Sequence, residues 1–162
     1  MLVISHTARV SELADIEDSV RGSSIVIGDG TQIDAFVKIK PAGGTGDVRI
    51  GRNTYINSGT VIYSGNGVTI GDHVLVAANC TFAAVNHEFR DRDMLIRDQG
   101  FAVSRGGIVV EDDVWIGANS VLLDGAVLRR GCVVGALSLV RDELEPYSIN
   151  IGAPTTRVGY RG

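Results

Sequence analysis

Apolar residues recur in this chain at every sixth position, an interval that excludes most folds. Ile4, Val10 and Ile16 form a first set, followed by Ile27, Ile33 and Ile39, then Ile50, Ile56 and Ile62, then Ile70, Val76 and Phe82. Val110, Ile116 and Leu122 resume the series after a gap, and Leu128, Val134 and Val140 end it. Hydrophobic residues make up 44% of the chain, so an unbroken run of this length is not chance. A helix cannot place such a row on one face, because six steps of about 100° turn it by about 600°. A short strand followed by a corner can. Three such units return the chain to its starting side, giving a coil of about 18 residues whose strands stack in parallel about 4.8 Å apart.

The residues between the anchors agree. Four positions after an anchor the side chain is small or β-branched, as at Thr31, Val37, Thr54, Thr60, Cys80, Ser120, Ala126, Cys132 and Ser138. Turn formers lie between, as in Asp29-Gly30, Arg52-Asn53, Ser58-Gly59, Ala118-Asn119 and Asp124-Gly125. Glycine and asparagine tolerate the left-handed backbone that sharp corners need. Glycine itself, 21 of 162 residues, is nearly twice as frequent as usual.

The insertions test the three-sided reading independently. The steps from Ile16 to Ile27, Ile39 to Ile50, Ile62 to Ile70 and Phe82 to Val110 all exceed six, and each follows a third anchor. Extra residues therefore leave from one corner and spare the walls. The expectation is an all-β, single-domain parallel β-helix of about six coils over residues 1–162. A long loop, 83–107, extends from one corner, and a tail, 143–162, caps the last coil.

Bulk properties narrow the function. No apolar run approaches the ~18 residues of a membrane span, and the start MLVISHTARVSE lacks the pattern of a signal peptide. A cytoplasmic location is expected. The net charge of −4 does not suit nucleic acid. The last 34 residues are an exception: five arginines against three acids could meet a small polyanion. Cys80 and Cys132 fall on different walls two coils apart, about 10 Å in rise alone, too far for a disulfide. They read as core thiols.

The pattern resembles the hexapeptide-repeat acyltransferases over roughly residues 4–142, and the left-handed sense of the coil comes from that resemblance. The run GGIVVEDDVWIGANSVLLDGAVLRRGCVVGALSLV is similar to the C-terminal coils of galactoside, maltose and serine acetyltransferases. With NHEF and IRDQG before it, the pattern resembles surface-polysaccharide O-acetyltransferases. The resemblance implies acetyl-CoA as co-substrate, no metal, a sugar or glycan-precursor hydroxyl as acceptor, and a homotrimer with active sites between neighbouring prisms.

His87 lies in the long loop, in an Asn-His pair that resembles the family's catalytic motif, whereas His6 and His73 occupy outward turn positions in regular repeats. A sugar hydroxyl is a poor nucleophile at neutral pH. A neutral imidazole, with an ordinary pKa of about 6.5, can take its proton as it attacks a thioester. The resulting oxyanion needs a donor, commonly a backbone N–H, which the resemblance places on the coil carrying Trp115-Ile116-Gly117-Ala118. Asn86 and Glu88 are the candidate substrate contacts beside His87. By resemblance, backbone around Ala118 and Ala136 lines the pantetheine groove, and Arg141 and Arg157 meet the phosphates of CoA. The chain departs from the family here, reading Arg141-Asp142-Glu143 where relatives often read Thr-Lys-Asp, with an ending one residue longer than usual. Trp115 is expected to point outward, toward a neighbouring subunit or the groove. N-acetyl transfer to an amino sugar and a non-catalytic scaffold are the alternatives. A γ-type carbonic anhydrase is disfavoured, since three histidines without paired spacing do not supply its zinc site.

Overall fold

The computed structural model describes all residues from Met1 to Gly162. The chain is a left-handed parallel β-helix with three walls. The first wall stacks Leu2–Ile4, Ile25–Ile27, Val48–Ile50, Val68–Ile70, Ile108–Val110, Val127–Leu128 and Glu143–Leu144. The second runs from Arg9–Val10 through Gln32–Ile33, Tyr55–Ile56, Leu75–Val76, Trp115–Ile116 and Val133–Val134 to Ser148–Ile151. The third comprises Asp15–Ile16, Lys38–Lys40, Val61–Tyr63, Thr81–Ala83, Val121–Leu123 and Leu139–Val140.

Anchors stack on anchors. Ile27, Ile50, Ile70, Val110 and Leu128 are successive register partners on the first wall. From Ile27 to Val140 every anchor is at most 2% exposed, within one core cluster of 27 residues. Burying each such side chain contributes about 1.5–3 kcal/mol. The first coil is different: Ile4 is 39% exposed, and Val10 and Ile16 are only half-buried. The sequence pattern treats these three as equals of the rest, but their side chains are only partly enclosed.

The corners carry the expected backbone. Gly30, Asn53, Gly59, Asn119 and Gly125 all have positive φ. The small interior residues fill the space behind these corners and satisfy turn carbonyls. Thr31 Oγ1 donates to the Gly51 carbonyl at 2.7 Å, Thr54 Oγ1 to that of Gly71 at 2.8 Å, and Ser138 Oγ to that of Gly135 at 2.7 Å. Cys80 and Cys132 are buried free thiols, as read from the spacing. Burial pushes both thiols up, Cys132 to about 12, which removes them as nucleophiles.

All long insertions leave from the corner between the third and first walls, where they stack as a ladder of their own. Gly65 N donates to the Ala42 carbonyl, Gly46 N to that of Gly65, and Asn66 N to that of Ala84. Glycine is required at position 44, because a Cβ there would collide with the Gly65 carbonyl. The tail does more than cap. Glu143–Leu144 and Ser148–Ile151 add two walls of a seventh coil, and Thr156–Tyr160 doubles back antiparallel on the second of them. The turn between lies across the third wall, with Leu139 N bonded to the Gly152 carbonyl and Thr155 N to that of Leu139.

Candidate active site

The loop after Ala83 folds into an arm. Ala102 N donates to the Asn86 carbonyl at 2.8 Å and Glu88 N to the Gly100 carbonyl at 3.0 Å, which makes His87 and Phe101 an antiparallel bridge. A single 3-10 turn, Ile96–Asp98, forms the tip. The Gln99 amide clasps it, donating to the carbonyls of Asp91 and Met94 and accepting from Asp91 N. At the base, the Asp124 carboxylate is 1% exposed and accepts Arg105 N at 2.7 Å, Gly107 N at 2.8 Å and Asn66 Nδ2 at 3.2 Å. Arg105 then pairs with Asp142 at 2.9 Å, tying the return of the arm to the last full coil.

This scaffold presents His87 to solvent. Its ring lies against Phe101, with centroids 5.0 Å apart and planes at 44°. The imidazole stands between two hollows. One, of about 320 Å³, is mostly apolar and faces the prism; the other, of about 480 Å³, is lined by Asn86, Glu88, Arg90, Arg105 and their neighbours. An exposed imidazole at the meeting of two hollows can be reached from both.

Asn86 is exposed beside His87, and its backbone carbonyl belongs to the arm. Glu88 is bound up locally: its carboxylate accepts Phe89 N at 2.9 Å and Arg90 N at 3.1 Å, and these two bonds, the larger first, hold it below the usual carboxylate range. Ala118 and Ala136 are brought together, since Leu137 N donates to the Ala118 carbonyl and Gly117 has no room for a Cβ above it because of Ala136 N. They line the corner between the second and third walls, so in one protomer the third wall separates them from His87. Arg141 and Arg157 do not converge. Arg141 starts the opposite corner and pairs with Asp142 at 3.2 Å. Arg157 lies on the final antiparallel strand, paired with Glu145 at 2.6 Å and with its guanidinium 4.8 Å from the Tyr160 ring. His6 and His73 are exposed at corners between the first and second walls, away from the arm.

Phe101, Tyr63, Gly43 and Asp124 are the site residues that sequence reasoning did not reach. Only Asp124 carried a signal, as a turn former in Asp124-Gly125. Trp115, 51% exposed, belongs to an outward column on the second wall with Tyr55, Leu75, Val133 and Ile149 in register.

Comparison with known proteins agrees with this architecture. A family model described as bacterial transferase hexapeptide (six repeats) matches residues 107–142, and one described as hexapeptide repeat of succinyl-transferase matches residues 47–82. The galactoside O-acetyltransferase of Escherichia coli is 33% identical over 108 residues, covering 67% of this chain and 51% of that protein. This chain spans about half the length of that relative, and about half that of a mycobacterial one. Among solved structures, a variant of AntD, an N-acyltransferase from Bacillus cereus in complex with dTDP-4-amino-4,6-dideoxyglucose and coenzyme A, superposes with a TM-score of 0.82 at 27% identity. That match covers 99% of this chain and 84% of AntD. A hexapeptide-repeat-containing acetyltransferase from Vibrio cholerae, complexed with acetyl coenzyme A, is 31% identical with a TM-score of 0.72, covering 83% of this chain and 69% of that one. In repeat, wall geometry and relatives alike, the chain belongs to the hexapeptide-repeat acyltransferases.

Proposed function

We propose that this protein is an acetyl-CoA-dependent O-acetyltransferase acting on a hydroxyl of a sugar or polysaccharide precursor, with His87 as general base. The observation that carries the reading is the exposed imidazole held against Phe101 between two hollows, on an arm fixed at its base by Asp124. In a ternary complex the acceptor oxygen attacks the thioester carbonyl as its proton passes to the imidazole. The C–O bond forms, the C–S bond breaks, and the imidazolium returns the proton to the departing thiolate. No covalent enzyme intermediate is needed. On the coil bearing Gly117 and Ala118 the Gly117 N–H is already bonded to the Val134 carbonyl at 2.7 Å, so the Ala118 N–H would meet the oxyanion.

Acetyl-CoA would lie along the Ala118–Ala136 edge, with Asn86 and Glu88 flanking the acceptor. Arg141 and Arg157 would have to exchange their carboxylate partners for its phosphates. The separation of that edge from His87 within one protomer, and the apolar column around Trp115, favour a homotrimer in which neighbouring prisms complete each site. A cytoplasmic location, where acetyl-CoA is available, fits the same reading.

One observation favours a second reading, N-acylation of an amino sugar: the likeness to AntD extends over 99% of the chain. The acceptor amine would be deprotonated by the same base.

The test is CoA release from acetyl-CoA across sugars, nucleotide sugars and oligosaccharides, with wild type and His87→Ala compared. A fall of about 10²–10⁴ in the variant, with folding intact, is expected. Equal release from both proteins would remove His87 as the base. Alkaline lability of the product separates an ester from an amide.

A further inference from the structure

A general base must present one nitrogen to the acceptor at hydrogen-bond distance. The His87 side chain is exposed, and the torsion that turns an imidazole is broad and roughly two-fold, so an unrestrained ring would point in many directions. The neighbouring Glu88 carboxylate does not hold it, being engaged by the amides of Phe89 and Arg90.

The residue that meets the ring comes from across the arm. Glu88 N donates to the Gly100 carbonyl and Ala102 N to the Asn86 carbonyl, so these two bonds flank His87 and Phe101 and leave them as a non-hydrogen-bonded pair. In such a pair the Cα atoms stand about 4.5 Å apart and both side chains leave on one face. The rings are accordingly in contact, with the 5.0 Å centroid separation and 44° tilt of an aromatic pair.

Phe101 is itself backed by the prism. Gly43, in the loop after Lys40, has φ of 80°, and a Cβ there would lie 2.5 Å from Val85 Cγ1 and 3.9 Å from Phe101 Cζ. A bare glycine therefore leaves room for Val85, and the tip of the Phe101 ring rests over the same floor. Beside it stand Tyr63 and Ala83, which are register partners on the third wall. The Phe101 ring thus reaches from the imidazole to a surface fixed by the stacking of coils.

We propose that Phe101 is a positioning residue for the transfer: its ring, seated on the prism, sets the direction of the His87 imidazole. This role rests on the acyl-transfer reading above. Phe101 takes no part in the bonds made and broken and acts only through His87.

The experiment measures CoA release from acetyl-CoA, with the acceptor panel given above, for single variants at each position and for the double variant. Phe101→Ala is expected to lower kcat by about 10–100-fold, the scale on which misplacing a reacting group acts, with KM for acetyl-CoA unchanged. Phe101→Tyr keeps the ring and should keep kcat close to wild type. Phe101→Leu keeps apolar bulk without a flat face and should fall with the alanine variant. In a His87→Ala background Phe101→Ala should cost nothing further, because a residue that acts only through another has no effect once that one is gone. If the alanine variant loosens the arm, read as faster amide exchange at Glu88 and Ala102, the leucine variant carries the comparison. A leucine variant as fast as wild type, or a further fall in the double variant, overturns the assignment. Nuclear Overhauser effects between the two rings test the contact apart from the reaction, and their absence in wild type overturns it whatever the activity. Release that no acceptor raises, or that His87→Ala matches, sinks the acyl-transfer reading and the positioning role with it. A loss in His87→Ala with none in the Phe101 variants overturns the positioning role alone.

Discussion

Leu137 holds a corner position that Gly59, Asn79 and Asn119 fill in other coils. Its φ is 59° and its side chain is 73% exposed. The left-handed conformation costs a residue with a branched side chain about 1–2 kcal/mol, and so exposed a leucine recovers little of that by burial. Leu137→Asn should therefore stabilise the isolated protomer by about 1 kcal/mol, seen as a rise of about 2–4 °C in Tm. An unchanged or lower Tm would mean that the side chain packs against something in solution. Leu137 directly follows Ala136, on the edge proposed above for acetyl-CoA; Phe36, His73, Asp113 and Tyr147 hold the same backbone conformation at other corners, so a role for Leu137 is tested by binding and not by its φ. The same variant should then bind acetyl-CoA more weakly even as it melts later, a pairing that simple relief of strain would not produce.

At the scale of elements, the one carboxylate buried at the base of the arm is that of Asp124. Removing Asp124 leaves the amides of Arg105 and Gly107 and the side chain of Asn66 without their acceptor. Each buried orphan costs about 1–3 kcal/mol unless the segment opens to water. Opening is the easier course for an arm attached at one corner, so Asp124→Ala should release the arm before it unfolds the prism. Activity is expected to fall by more than 10-fold, amide exchange to rise at Arg105 and Gly107, and the walls to stay protected. Uniform loss of protection through the walls would instead make Asp124 part of the core.

The division between walls and arm also explains what could be read from the sequence. Six-residue periodicity fixes the walls because every anchor must face one interior, and it locates the insertion corner because only third anchors are followed by long steps. It fails at the tail for a definite reason. Leu144 comes four residues after Val140, and the next anchor position is Asn150, a buried amide whose Nδ2 donates to the Val133 carbonyl and to Ser148 Oγ. An apolar search stops there although the coil continues. His87 stands out as a candidate because it lies off the period, in a segment that resembles a family motif. Phe101 and Tyr63 were not, since their neighbours are set by the folding-back of the arm and by register between coils. The carboxylate partners of Arg141 and Arg157 were hidden for the same reason.

Over the whole molecule, each coil touches only its neighbours, so stability is a sum along an axis with two unlike ends. The last coil is covered by the turn at Gly152–Thr155, whereas the anchors of the first coil, Ile4, Val10 and Ile16, are only partly enclosed. Carboxylates supply much of what else holds it. Asp29 accepts from Ser5 Oγ, Asp15 pairs with Lys38 at 2.9 Å, Glu17 with Lys40 at 2.9 Å, and Asp18 with the N-terminal amine at 3.2 Å. The Ser5 bond holds the Asp29 carboxyl below its ordinary range, and the bond from the N-terminal amine does the same for Asp18. A carboxyl whose folded pKa is depressed adds stability that is complete above its unfolded value, about 4, and is lost as pH falls through the lower folded value. The rest of the helix carries the same linkage at Asp72, held down first by Arg52 N–H, and at Glu111, held down first by the Arg129 guanidinium. Those coils also keep fully buried anchors, and the first coil does not. Acid should therefore strip the solenoid from its N-terminal end. Hydrogen exchange at neutral pH should already find residues 2–16 less protected than residues 48–82, and the gap should widen below about pH 4. If the first coil stays as protected as the middle ones while the pH falls, its carboxylate contacts are not what holds it.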